Sequence, residues 1–273
     1  MLYLVATPIG NLDDISYRAV ETLKSCDYIL CEDTRHSKIL LNHYGISKPL
    51  KSFHQFSEAY KEKQIIQDLN NGKNIALISD AGTPGISDPG ERLVKRCREE
   101  ELDVTAIPGA CAAIVALSSS GFDTRRFQFL GFLPRKMGEL KQTLLDVLRY
   151  PGTSICYESP KRVEKVLQLL KELAPERVLT IARELTKKFE EMRQGNAEEL
   201  LTYFASHPLK GEIVILFSES LDEALIKWEK LTPEEHVKEL QDTYHLTKKE
   251  AIKLAAELRG IPKRNIYQQV SKS

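Results

Sequence analysis

Short apolar runs alternate with segments of helical periodicity through the first part of this 273-residue chain, and that alternation constrains the fold more than any other feature. The spacing predicts strands at Leu2–Thr7, Tyr28–Cys31, Ile75–Ser79 and Val104–Ile107. Between them it predicts helices at Ile15–Ser25, His36–Tyr44, Ser57–Asn71 and Glu91–Glu101. Parallel strands need such crossovers, so an α/β fold with a largely parallel sheet is expected here. The rhythm then changes. Strands are predicted at Phe127–Phe132, Ser154–Tyr157, Val178–Glu184, Phe189–Arg193 and Glu212–Phe217, with helices at Leu140–Arg149, Val163–Leu173 and Ala197–Ala205. The two strands flanking Leu185-Thr186-Lys187-Lys188 read as a hairpin, so the second sheet should be mixed. The small-residue run Ser118-Ser119-Ser120-Gly121 is the expected linker, giving α/β domains at 1–119 and 120–220.

A small helical unit is expected at 225–273. Thr232-Pro233-Glu234-Glu235 and Thr247-Lys248-Lys249-Glu250 are capping boxes, and Gly260-Ile261-Pro262 stops one helix and opens another. Lys248, Lys249, Lys253, Arg259, Lys263, Arg264 and Lys272 face only Glu250 and Glu257 across this stretch, so the unit has a basic end. Such an end suits phosphate contacts, and it equally suits a solvated tail packed on its neighbour.

The bulk numbers exclude several classes. Lys+Arg and Asp+Glu both total 39, so no global field draws the chain to nucleic acid or membrane. Cys26, Cys31, Cys97, Cys111 and Cys156 are odd in number, without C-x-x-C spacing, and read as buried free thiols in a reducing cytoplasm. No apolar run approaches the ~20 residues of a membrane span, and Met1-Leu2-Tyr3-Leu4-Val5 lacks the basic flank of a signal peptide. There is no G-x-G, no phosphate-binding loop signature, no H-E-x-x-H and no G-x-S-x-G, so dinucleotide, nucleotide, metal and serine-hydrolase chemistry all lose ground.

The candidate site lies in the loops after the predicted strands. Gly82, Pro84, Gly85, Pro89 and Gly90 make Ser79–Gly90 a shaped loop in which glycine can bring backbone groups against a ligand, while Asp80, Thr83, Ser87 and Asp88 add polar contacts. A tight turn followed by a helix cap at Asp88-Pro89-Gly90-Glu91 is the plainer alternative. Ala6-Thr7-Pro8-Ile9-Gly10-Asn11-Leu12, Cys31-Glu32-Asp33-Thr34-Arg35-His36-Ser37 and Ile107-Pro108-Gly109-Ala110-Cys111-Ala112 end the other strands. Ligands of open α/β sheets collect outside the carboxyl ends of strands, so these loops should converge on one crevice.

Taken in chain order with Phe132-Leu133-Pro134-Arg135-Lys136, Tyr157-Glu158-Ser159-Pro160-Lys161-Arg162, Ala182-Arg183-Glu184-Leu185-Thr186-Lys187 and Lys210-Gly211-Glu212, these loops are highly specific as a set. Over nearly its whole length the chain resembles the tetrapyrrole methylase class of S-adenosylmethionine-dependent methyltransferases. Within that class it is similar to the bacterial enzymes that 2′-O-methylate a cytidine ribose in the decoding region of small-subunit (16S) ribosomal RNA. The resemblance implies a cytoplasmic homodimer of two α/β domains with a cleft between them, no metal and no membrane. It implies S-adenosylmethionine as donor, held by Pro8, Gly10, Asp80, Gly82, Thr83, Pro84, Ile86, Ser87, Pro108, Gly109, Ala110, Cys111 and Ala112, with Gly131 and Tyr157 from the second domain. The first loop, Thr7-Pro8-Ile9-Gly10, is poorer in glycine than in tetrapyrrole relatives, which suits an RNA substrate.

A ribose hydroxyl is a weak nucleophile, so a base or an oxyanion-stabilising cation should lie near it. Glu32, Asp33, Arg35 and His36 are the expected cluster, although Asp33 could equally cap the following helix and Arg35 pair with Glu32. Arg135, Lys136, Lys161 and Arg162, with Lys248, Lys249, Lys263 and Arg264, are the candidate RNA contacts. Two other readings stay open: a small-molecule, tetrapyrrole-type methyltransferase, and a non-catalytic RNA-binding protein of ribosome assembly.

Overall fold

The computed structural model describes residues 1–54, 58–219 and 231–270. The predicted helix start at Ser57, the domain limit at 220, the segment 225–230 and Lys272 lie outside the described residues. The chain divides into two units, Met1–Ser119 with Glu184–Glu190, and Ser120–Arg183 with Glu191–Ser273.

The first unit contains β1 (Leu2–Val5), β2 (Tyr28–Cys31), β3 (Leu50–Ser52), β4 (Ile75–Leu77) and β5 (Val104–Ile107), in the order β3-β2-β4-β1-β5. Every pairing is parallel. Around them lie α1 (Tyr17–Ser25), α2 (Thr34–His43), α3 (Glu58–Asn70), α4 (Glu91–Glu99) and α5 (Ala112–Ser120). Successive strand residues point to opposite faces, and the core follows that alternation. Leu2, Leu30, Ile75 and Leu77 pack with Ile65, Ile66 and Leu69 of α3 and Leu93 and Cys97 of α4. Val5, Ile29, Cys31 and Ala76 pack instead with Ala19 and Leu23 of α1 and Leu41 of α2. Both faces are therefore covered, and each fully buried aliphatic side chain contributes about 1.5–3 kcal/mol.

Two elements differ from expectation. β3, Leu-Lys-Ser, has no apolar run of its own and exists because its backbone pairs with β2, Leu50 opposite Ile29. Ser118–Ser120, expected as linker, instead completes the last turn of α5, where the Ser118 and Ser119 hydroxyls donate to the Val115 carbonyl at 3.0 and 2.8 Å.

The second unit has β6 (Phe127–Phe132), β7 (Thr153–Glu158), β8 (Leu179–Arg183), β9 (Glu191–Gly195) and β10 (Ile213–Phe217), ordered β6-β7-β10-β8-β9. β6 and β7 run parallel and the other pairs antiparallel, so the sheet is mixed. Its helices are α6 (Met137–Arg149), α7 (Pro160–Leu173), α8 (Ala197–Ser206), α9 (Pro233–Tyr244), α10 (Lys248–Leu258) and α11 (Lys263–Val270). The capping boxes of α9 and α10 form as their sequences predict. These last helices do not stand apart. Val237, Leu240, Leu254 and Ile266 belong to one apolar cluster with Leu144, Val166, Ile215 and Phe217, and Lys141 on α6 pairs with Glu250 at 3.0 Å. Among the described residues no helix is long and apolar enough to cross a membrane.

Candidate active site

β1 and β4 are neighbours in the first sheet, yet the chain leaves β1 for α1 on one face and leaves β4 for α4 on the other. Loops that diverge in this way open a crevice at the carboxyl end of the sheet. A two-way backbone bridge spans the point of divergence. The Thr7 N–H donates to the Gly82 carbonyl at 2.9 Å, and the Gly82 N–H donates back at 3.1 Å. The buried hydroxyls of Thr7 and Ser79 reinforce it, donating to the Ser79 and Gly82 carbonyls at 3.1 and 3.0 Å. Neither hydroxyl figured among the expected site residues, because a buried serine or threonine after a strand carries no motif of its own.

Further ties gather the remaining loops. Thr83 Oγ1 donates to the Ala110 carbonyl at 3.1 Å, and the Asp33 N–H donates to Asp80 Oδ1 at 3.3 Å. Gly82 has φ +83° and Gly85 φ +81°, left-handed backbone that glycine adopts without steric cost. A Cβ on Gly109 would come within 2.7 Å of Ala6 Cβ, so this glycine lets the β1 and β5 loops touch. Pro108 and Gly109 are exposed, and Ile86 is 44% exposed. Asp80, Gly82, Thr83, Pro84, Ile86, Ser87 and the 108–112 turn thus belong to one loop cluster with Pro8. Gly10 is engaged elsewhere. A Cβ there would meet Thr186 Oγ1 at 2.7 Å and the Leu185 carbonyl at 2.9 Å, while the Asn11 N–H donates to Thr186 Oγ1 at 3.0 Å. The hairpin connection 184–190 therefore packs against the first loop, with Glu184 and Thr186 held at φ +50° and +65°. Strand periodicity could not reveal this, since it reports pairing and says nothing of where a connection docks.

The charged loop after β2 splits by role. Asp33 is the N-cap of α2, accepting from the Arg35 N–H at 2.8 Å, and that bond with the Arg35 charge holds its carboxyl below the usual range. Arg35 projects outward with 92% of its side chain exposed, 3.7 Å from Asp33 rather than paired to Glu32, and His36 is exposed beside it. Partial burial pushes the Glu32 carboxyl up, the Asp80 charge adds to the rise, and His54 opposes it. A carboxylate raised in this way is a better proton acceptor than an ordinary one.

In the second unit Gly131 has φ +65° at a bulge in β6, and the Tyr157 ring lies edge-on to Phe129 and Phe132 at 4.9 and 5.8 Å between centroids. Arg162 does not project to solvent as a phosphate contact would. Its guanidinium pairs with buried Glu158 at 3.2 Å and donates to the Leu133 and Pro134 carbonyls at 3.0 and 2.6 Å. Arg135, Lys136, Lys161, Lys248, Lys249, Lys263 and Arg264 are exposed. Cys26, Cys31, Cys97 and Cys156 are buried thiols, and Cys111 is partly buried in its turn.

Residues 1–201 match the family of Tetrapyrrole (Corrin/Porphyrin) Methylases. The chain is 44% identical over 269 residues to the ribosomal RNA small subunit methyltransferase I of Halalkalibacterium halodurans, covering 97% of this chain and 93% of that one. It is 43% identical to the protein of that name from Bacillus subtilis, over 98% and 92% of the two chains. Among solved structures, a cobalt precorrin-4 methyltransferase of cobalamin biosynthesis aligns with TM-score 0.59 at 15% identity, over 80% of this chain and 94% of that one. Fold, strand-end loops and sequence agree that the chain belongs to the tetrapyrrole methylase family, in the branch whose curated members are named ribosomal RNA small subunit methyltransferase I.

Proposed function

We propose that the protein transfers a methyl group from S-adenosylmethionine to RNA of the small ribosomal subunit, at the ribose 2′-hydroxyl of a cytidine in the decoding region. One observation carries this reading. The family match ends at residue 201, whereas the identity to the ribosomal RNA methyltransferases runs over 97–98% of the chain and so takes in the helices beyond it.

S-adenosylmethionine suits the residues present. The open backbone at Gly109, the exposed Ile86 and the carboxylate of Asp80 offer polar, apolar and anionic contacts in one loop cluster, matching the polar, aromatic and cationic parts of the donor. Bound there, it supplies an activated methyl on a sulfonium. The chain's own groups prepare the acceptor. Glu32, its pKa raised, would take the proton of the 2′-hydroxyl as the oxygen–methyl bond forms and the sulfur–methyl bond breaks with its electron pair left on a neutral thioether, and exposed Arg35 would steady the negative charge on the oxygen with His36 beside it. Asp33 positions this loop by capping α2 and meeting Asp80. Arg135, Lys136, Lys161, Lys248, Lys249, Lys263 and Arg264 meet RNA phosphates. A cytoplasmic homodimer belongs to the same reading.

Purified protein with labelled donor tests it. Transfer to small subunits lacking the modification is expected. Transfer to a tetrapyrrole precursor instead would establish the small-molecule reading, and donor retention without transfer to either would establish the binding-protein reading.

A further inference from the structure

β6 pairs with β7 in step from Phe127 opposite Thr153 to Phe129 opposite Ile155, and then slips by one residue. Without the slip Gly131 would stand opposite Tyr157. With it, Phe132 does. Gly131 absorbs the extra residue at φ +65°, a conformation that strains any residue with a Cβ. The bulge thus places an aromatic ring at the end of the strand, 60% exposed, with its edge supported by Tyr157.

The segment that follows is fixed from beneath. Glu158, its side chain 1% exposed, pairs with Arg162, and Arg162 grips the Leu133 and Pro134 carbonyls directly after Phe132. A buried carboxylate whose arginine partner is spent on two backbone carbonyls is a costly way to hold a turn unless its shape matters, and here the turn follows directly on the outward-facing Phe132. Arg135 and Lys136 follow the ring by three and four residues and Lys161 follows Tyr157 by four; all three are exposed, with Lys136 paired to Glu139 at 3.0 Å. An open aromatic face among cations suits an unpaired nucleobase between two phosphates: the ring takes the π-face of the base and the cations take the backbone.

We infer that Phe132 is a stacking platform for an unpaired base of the RNA substrate, with Gly131 and the Glu158–Arg162 pair as its positioning elements. The inference rests on the ribosomal RNA reading above. Stacking on an aromatic side chain is worth about 1–3 kcal/mol, so Phe132→Leu and Phe132→Ala should lower kcat/KM on small subunits by about 10–100-fold. Phe132→Tyr and Phe132→Trp keep a π-face and should stay near wild type. Donor affinity by calorimetry, melting temperature and sedimentation mass should be unchanged in all four. If Phe132→Leu transfers as well as wild type, the ring is apolar packing and the assignment falls. A change in mass would show that a second copy covers this face, and a parallel loss of donor affinity would move Phe132 into the donor site; either overturns the platform. A wild-type protein inactive on small subunits overturns the ribosomal RNA reading, and this one with it.

Discussion

At Gly82 the local chemistry is legible from sequence and its geometric reason is not. A glycine in a strand-end loop suggests space for a ligand, but a Cβ there would approach Ile9 Cγ2 at 3.4 Å and the Ala110 carbonyl at 3.5 Å, from a backbone at φ +83°. Those contacts are ordinary, so the glycine is needed for the left-handed backbone that makes the bridge to Thr7, and the proposed donor surface rests on that bridge. Left-handed backbone costs a side chain about 1–2 kcal/mol, and β-branching adds crowding. Gly82→Val should therefore lower stability by about 1–3 kcal/mol and donor affinity by tenfold or more, read by melting and calorimetry on the same samples. Unchanged donor affinity would separate this loop from the donor site. Glu32 carries a second prediction. Its folded pKa is raised, so the folded state keeps this proton to higher pH than the unfolded state, and the stability contribution present below the ordinary value of 4.5 is lost as pH rises through the folded value. Glu32→Gln should match wild type near pH 4 and melt at higher temperature than wild type at pH 7. Parallel melting curves across that range would show that burial and Asp80 do not strain the carboxyl.

Elements with their own signal were readable in advance. α9 and α10 carry capping boxes and apolar stripes, and β2 is an apolar run bounded by Asp27 and Glu32, so local chemistry and tertiary context agree. β3 and α5 lack such a signal. The first is three residues held by its partner, and the second is apolar nearly all round, so no periodicity marks it. The least legible feature is the contact between the start of α9 and the end of α10. His236 is fully buried and accepts from Arg259 Nε at 3.1 Å, and burial, followed by the Arg259 charge, depresses its pKa to about 4. The sign is that of a depressed histidine: the unfolded chain takes up the proton near pH 6.5 and the folded chain resists it until about 4, so stability is full above 6.5 and declines between these values. His236→Gln keeps an acceptor and removes the titration. Its melting temperature should fall less than that of wild type between pH 7 and pH 4. Equal falls would place the acid sensitivity elsewhere.

For the molecule as a whole, the alternation of strands and helices was enough to indicate an α/β architecture with a parallel first sheet and a mixed second one, but not the strand order within either. Nor did composition show that the C-terminal helices share a core with the second sheet. That sharing decides how their basic end is to be probed. Truncation would uncover Val237, Leu240, Leu254 and their neighbours, whereas neutralising exposed cations leaves the core intact. Lys249→Gln, Lys253→Gln, Lys263→Gln and Arg264→Gln combined should leave melting unchanged and weaken small-subunit binding. They should also flatten the slope of log affinity against log salt by about 3 if all reach phosphates. Identical slopes would leave these cations to the solvent.

The central claim, a ribose methyltransferase of the small-subunit RNA, is tested most directly by mass-spectrometric mapping of that RNA from cells lacking this protein. The account predicts the loss of a methyl mass from the ribose of a decoding-region cytidine, restored when purified protein and S-adenosylmethionine are added to the isolated subunits. A small-subunit RNA with the same modification map in the presence and absence of the protein would contradict it.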